Sequence, residues 1–424
     1  IRKIGKTILV ESLAQGPTFT FTAAGDYSSS SSSTTPVLAG INPINSGASF
    51  NLVLGDMSYA NLIPETAWCD YVKSNVGATY PFELIPGNHE DDSPAGHFID
   101  NFELCLPHRL TPITGRYSRE YYFDYPEVSP IARFINISPG LTFPDEGTYL
   151  YVLGNARYNF VANAINAARA SGIKWIVVSM HYNCITMGSK TCGMGEQLFN
   201  LLVEKKVDLI LQGHDHNYQR SKQLAQSAGC TSIVKDSYNA NCVADDGSDN
   251  LYTKGAGSVL AIVGTGGVGN YDLNPTDAEA GYFVTGYGVS TNKMTGFVKA
   301  VVTDTDMNVS FNRMYGPAFS DNFRIADSST PSATPALPTS TPAVTTIIVP
   351  IPTGTDDAEE NLTTGAVNLG SSDLELTMDA ANQTIGMRFT GVTIPQGAAI
   401  TNAYIEFIAK EQQPDVTDLT FYAQ

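Results

Sequence analysis

Five times along this chain a short apolar run breaks off at a residue that can bind a metal ion. TFTFTAAGD ends at Asp26, and FNLVLGDMSY reaches Asp56 with Tyr59 three residues on. FELIPGNHE delivers Asn88 and His89, KWIVVSMHYNC stops at His181, and VDLILQGHDHNYQR delivers His214 and His216. A short apolar run bounded by glycine reads as a core strand. A single Asp after a strand is usually a turn or cap residue, and a single His is more often structural. Five in succession constrain the fold far more tightly. Loops at the carboxyl ends of neighbouring strands converge on one crevice, which is where open α/β sheets hold their ligands.

The segments between these runs are helical where an α/β sheet needs them to be. Residues 157–171 put Phe160, Ala164, Ile165 and Ala168 on one face, with Gly172 as the stop. Residues 196–205 direct Leu198, Leu201 and Leu202 inward. Strands are expected at 121–125 and 132–137, and beyond Arg220 the pattern turns mostly β, at 258–263, 282–289, 296–303 and 308–314. The glycine-rich GTGGVGN (264–270) is followed by no helical pattern, so it reads as a turn and not as a dinucleotide site. From residue 327 to 352 the composition shifts to Ser, Thr, Pro and Ala, a Pro-stiffened linker. Residues 353–424 alternate apolar and polar positions in about four strands, too few for a closed β-sandwich, and are expected to be an incomplete accessory module. Residues 1–17 are a stub, and residues 18–326 are left as the main domain.

A formal charge of −18 argues against a nucleic-acid partner, which clustered Lys and Arg would hold. The six cysteines fall into three local pairs, Cys69 with Cys105, Cys184 with Cys192 and Cys230 with Cys242. An even count without CxxC spacing suits disulfides in an oxidising compartment, with zinc–thiolate ligation or free buried thiols as the alternative. No apolar run is long enough to span a membrane as a helix. The start at Ile1 without Met agrees with a processed secreted protein, extracellular or at the cell surface, or with a fragment.

The oxygen and nitrogen ligands suit two ions a few ångströms apart, with one carboxylate bridging, and Fe, Zn or Mn in preference to Ca or Mg. A phenolate from Tyr59 favours Fe(III) at its site. No GxSxG or HExxH occurs, which disfavours a serine hydrolase or a zinc protease of that type.

GDMSY, GNHE, the strand-terminal His181 and GHDH, in this order, resemble the motif set of calcineurin-like metallophosphoesterases, and Tyr59 places the chain near their purple acid phosphatase branch. The resemblance spans roughly residues 18–315. It implies an αββα sandwich, two mixed β-sheets flanked by helices. It further implies Fe(III) held by Asp26, Tyr59 and His216, and a divalent ion (Zn, Fe or Mn) held by Asn88, His181 and His214, with Asp56 bridging. A hydroxide bridging the metals would attack a small phosphorylated substrate, most simply a phosphomonoester. His89 would contact the phosphate or protonate the leaving oxygen. Tyr218 and Arg220 are expected to shape the pocket wall. Where that branch carries extra histidines after the His181 position, this chain has Lys190, a candidate phosphate contact. Ser28 follows Asp-Tyr where that branch usually has Gly, a change compatible with Tyr59. A phosphodiesterase or nucleotide hydrolase would use the same metals. A surface or assembly protein would keep the fold and use the C-terminal module for cell-surface, glycan or self-association.

Overall fold

The apolar runs form the strands, and two sheets collect them. The computed structural model describes residues 18–28, 32–59, 64–91, 98–327, 357–370, 378–379 and 381–389. The chain divides into two compact units, residues 1–331 and 332–424. The N-terminal stub, part of the serine run, the linker from residue 328 to 352 and the tail strands beyond residue 389 lie outside the described residues.

One sheet of the first unit has seven strands, in the order Leu251–Thr253, Asp321–Ala326, Asp306–Tyr315, Thr295–Val302, Phe19–Ala24, Phe50–Val53, Phe82–Glu83. The other has eight, in the order Phe283–Tyr287, Tyr218–Ser221, Val259–Val263, Leu209–Gln212, Trp175–Met180, Ala132–Ile137, Glu120–Tyr125, Thr114–Arg116. Both are mixed. Phe19–Ala24, Phe50–Val53 and Phe82–Glu83 run parallel, as do Ala132–Ile137, Trp175–Met180, Leu209–Gln212 and Val259–Val263. Parallel neighbours need a crossover long enough to return the chain. The helices Thr34–Ile41, Glu65–Val76, Ala156–Ala170 and Glu196–Glu204 lie in those crossovers. The carboxyl ends of the parallel strands therefore share one edge of each sheet.

The sheets pack face to face through aromatic side chains. Phe134 of the second sheet lies 5.0 Å from Phe21 and 5.1 Å from Phe50 of the first, centroid to centroid and edge-on. All three rings are fully buried, and truncating one to Ala would cost about 3–5 kcal/mol. On the Ala156–Ala170 helix the buried face is Val161, Ala164, Ile165 and Ala168, and Phe160 is only partly covered. The Asn155 side chain caps this helix by accepting from the Tyr158 amide at 2.8 Å, and Gly172, at φ 79°, follows its end.

The three cysteine pairs are bonded as the local spacing suggested: Cys69–Cys105, Cys184–Cys192 and Cys230–Cys242. The first joins the helices Glu65–Val76 and Ile99–Cys105. Among the described residues no helix is long and apolar enough to cross a membrane. The second unit carries an antiparallel sheet in the order Val367–Asn368, Asp357–Asn361, Ala381–Met387, Met378–Asp379.

Candidate metal centre

Each parallel strand hands its chain to a tight turn, and glycine sets how closely those turns approach. Gly55 sits at φ 81°, and a Cβ there would lie 2.6 Å from His181 Nδ1 and 2.7 Å from the Gly87 amide nitrogen. A Cβ on Gly87 would fall 1.9 Å from Asp56 Oδ1. Only bare backbone fits, which is why a glycine precedes the Asp or Asn in these runs. Four residues of the centre adopt left-handed backbone that non-glycine residues seldom take: Asp26 (φ 61°), Asp56 (φ 51°), Tyr59 (φ 46°) and His214 (φ 67°). Such strain persists where the surroundings dictate it, and it clusters at functional sites. Backbone bonds then stitch the turns together. The Asp26 amide donates to the Gly55 carbonyl at 3.0 Å, the Gly25 amide to Val263 at 3.0 Å, and the Gly213 amide to His181 at 3.1 Å.

The side chains gather into two groups that share one carboxylate. Asp26, Asp56 and His216 form one, and Asp56, His181 and His214 the other; within each, one potential ligand atom per residue lies within 4.8 Å of the rest. The Tyr59 hydroxyl enters the first group, 3.0 Å from Asp26 Oδ1, 2.9 Å from Asp56 Oδ2 and 2.9 Å from His216 Nε2. Asn88 Oδ1 enters the second, 3.3 Å from His181 Nε2. His181 Nε2 is also 3.3 Å from Asp56 Oδ1 and 3.1 Å from His214 Nδ1. The structure thus brings Asp26, Asp56, Tyr59, Asn88, His181, His214 and His216 together.

Outer contacts aim these groups. His181 Nδ1 donates to the Leu54 carbonyl at 2.7 Å and His216 Nδ1 to the Gly269 carbonyl at 3.1 Å, so both rings turn Nε2 inward. Asp26 Oδ2 accepts from the His214 amide at 2.9 Å. Glu90, fully buried, accepts from the amides of Asp56 (3.0 Å), Met57 (2.7 Å) and Gly87 (2.8 Å). It welds the Asp56 turn to the Asn88 turn, a task the letters GNHE do not disclose. Burial, then the Asp56 charge, raises its pKa to about 8.

Left to themselves these groups are poorly matched. Burial opposes charging His181, but the Asp56 carboxylate outweighs it and lifts the imidazole pKa to about 9. Burial and then the His181 and Lys190 charges push His214, only 3.1 Å away, down to about 2. Burial and the carboxylates of Asp26 and Asp56 hold the Tyr59 phenol far above its ordinary range. Three imidazoles, two carboxylates, an amide oxygen and a phenol crowded at such distances present lone pairs to one another. Cations between them would satisfy every one, so this set fits a pair of metal ions.

His89 stands at the exposed edge. Its ring is 4.3 Å from that of Tyr59 and its Nε2 is 3.9 Å from Asp56 Oδ2. The glycine-rich turn after Val259–Val263 also reaches the centre. Its Tyr271 ring stacks on His216 at 4.1 Å and 12°, and the Asn270 side chain donates to the His216 carbonyl at 3.1 Å. Lys190 Nζ lies 5.1 Å from the Tyr271 ring centre. Tyr218 and Arg220 do not behave as expected of pocket-wall residues. Tyr218 donates to Asp321 Oδ2 at 2.7 Å, and Arg220 grips the same carboxylate through Nε at 2.8 Å and an Nη at 3.0 Å. Both are buried between the sheets, where Tyr218 packs 4.4 Å from Phe311. Their reading as pocket-wall residues is corrected: they anchor a strand. Ser28 uses its amide to donate to Thr34 Oγ1 at 2.9 Å.

Residues 19–218 match the calcineurin-like phosphoesterase family. An uncharacterized protein of Mycobacterium tuberculosis is 27% identical over 241 residues, covering 54% of this chain and 43% of that one. A protein of Arabidopsis thaliana named "Probable inactive purple acid phosphatase 1" is 26% identical over 227 residues, covering 49% of this chain and 34% of that one. The chain thus spans less than half the length of either relative. A solved purple acid phosphatase from yellow lupin (Lupinus luteus) seeds has the same fold, with TM-score 0.54 at 17% identity, covering 74% of this chain and 54% of that one.

Proposed function

We propose that this chain, a calcineurin-like metallophosphoesterase of the purple acid phosphatase-like branch, is a secreted phosphatase that hydrolyses small phosphomonoesters at a dinuclear metal centre. The observation that carries the reading is the pair of ligand groups sharing Asp56. Asp26, Tyr59 and His216 would hold Fe(III), and Asn88, His181 and His214 a divalent ion such as Zn, Fe or Mn, with Asp56 spanning both. Such a pair of ions supplies Lewis acidity toward phosphoryl oxygens and makes water a nucleophile near neutral pH. The chain's own residues do the rest. The Leu54 and Gly269 carbonyls fix the imidazole orientations, and Glu90 fixes the backbone from which Asp56 projects. His89 is exposed beside Tyr59, where it can hand a proton to the departing alkoxide. Lys190, whose ammonium lies over the Tyr271 ring that stacks on His216, can meet the phosphate charge. Three disulfides support export to an oxidising compartment.

The Arabidopsis relative is named as inactive; here a ligand set spanning both proposed ions argues for turnover. The test is hydrolysis of p-nitrophenyl phosphate by the metal-loaded chain and by Asp56→Asn. Wild type should turn over, and the variant should lose about 1,000-fold or more in kcat, because it weakens the ligand common to both ions. Equal rates in the two proteins would refute the reading.

A further inference from the structure

We propose that Lys190 makes this site select the doubly charged group of a phosphomonoester over the singly charged group of a phosphodiester. The inference rests on the phosphoesterase reading above and names the residue that decides between two ester classes.

The loop carrying Lys190 is tied to the metal centre at several points. It begins at Cys184, three residues past His181, and the disulfide to Cys192 closes it. Asp215, buried between His214 and His216 in the sequence, accepts from the Thr186 hydroxyl at 2.6 Å and from the Ser189 amide at 3.3 Å. The Met187 amide donates to Gln219 Oε1 at 2.7 Å, and Gln219 Nε2 returns a bond to Thr186 Oγ1 at 2.7 Å. Glu279 accepts from the Thr186 amide at 2.8 Å. A Cβ on Gly188 would lie 2.0 Å from Asp215 Oδ2, so glycine alone permits this approach. A loop held so firmly keeps its one cation in a defined place.

That cation lies over an aromatic ring, and the buried Asp215 carboxylate beside the loop also feels its charge. The Lys190 ammonium faces Tyr271, and Tyr271 stacks on His216. Among the described residues Lys190 forms no ion pair. A loop tied to Asp215, between His214 and His216, places this ammonium beside the centre, where a ligand's charge can meet it. A phosphomonoester above its second ionisation, near pH ~6, carries one more anionic oxygen than a diester. A fixed ammonium gains most from that extra oxygen, through Coulomb attraction and a charge-assisted hydrogen bond. Arginine at this position would keep the charge, and methionine would keep only the stem.

The experiment compares metal-loaded full-length wild type, Lys190→Met and Lys190→Arg at pH 7, on p-nitrophenyl phosphate and on bis(p-nitrophenyl) phosphate. Wild type should favour the monoester. Lys190→Met should lose roughly tenfold in kcat/KM on the monoester, mainly through KM, with less than about a twofold change on the diester. Lys190→Arg should retain most of the preference. At about pH 5, where the monoester is largely monoanionic, the penalty on Lys190→Met should shrink. Equal losses on both esters, no loss on either, or a wild type that favours the diester would overturn the proposal. Calorimetric binding of inorganic phosphate and of dimethyl phosphate to the same proteins reads the same selectivity without turnover. If wild type hydrolyses neither ester, the phosphatase reading fails. Lys190 is then judged by binding alone: a roughly tenfold weaker phosphate Kd in Lys190→Met with less than about a twofold change for dimethyl phosphate supports it, and an unchanged phosphate Kd or equal losses for both anions reject it.

Discussion

Tyr59 is the residue on which the identity of the metals turns. Its phenol is protonated beside two carboxylates when only protein groups surround it, because burial and both negative charges oppose the phenolate. A trivalent ion reverses that balance, and iron–phenolate bonds absorb visible light. The chain loaded with iron should show a visible charge-transfer band that disappears in Tyr59→Phe; iron bound without the band would remove the phenolate assignment. Position in the sequence announced Tyr59, three residues after Asp56. It announced Tyr218 and Arg220 wrongly. They alternate with Gln219 along the Tyr218–Ser221 strand, so their side chains take the opposite face. That face looks into the core toward Asp321, about a hundred residues away, and no local pattern shows such a partner. Gln219, on the other face of that strand, reaches the Lys190 loop.

At the level of the element, the strand ends were readable because burial demands apolar runs and close turns demand glycine. The helices at Thr34–Ile41 and Glu65–Val76 carry no clear helical pattern in their residues. The first follows a serine run with no readable signal, and the second mixes polar and apolar positions with only Trp68, Cys69, Val72 and Val76 as its apolar buried face. The glycine-rich segment was recognised as a turn, but its task was hidden. The task follows from Val259–Val263 being a further parallel strand whose end meets the same crevice. The Lys190 loop depends on Glu279, whose carboxylate also accepts from the Asp236 amide at 2.7 Å. Burial raises its pKa from 4.5 to about 7 despite those amides. The folded chain then keeps a proton that the unfolded chain releases, so this group's contribution to stability falls as pH rises from 4.5 through about 7. Glu279→Gln removes the titration. Its Tm should rise relative to wild type across that window and level off above it, as followed by thermal unfolding at a series of pH values. A difference that stays constant with pH would contradict the burial argument.

For the molecule as a whole, two mixed sheets pressed face to face bring turns distant in sequence into one cluster. Asp26 and His214 are 188 residues apart, yet the His214 amide donates to the Asp26 carboxylate. The order of motifs disclosed that convergence. The sequence could not disclose which sheet contributes which ligands: Asp26, Asp56, Tyr59 and Asn88 follow strands of one sheet, and His181, His214 and His216 follow strands of the other. Each proposed ion is therefore held from both sheets, and each should depend on its own histidine. Metal content per chain, measured by inductively coupled plasma mass spectrometry on purified wild type, His181→Ala and His216→Ala, tests this most directly. The expected result is about two ions in wild type and about one in each variant. A wild type that holds no ion, or variants that both keep two, would contradict the shared centre.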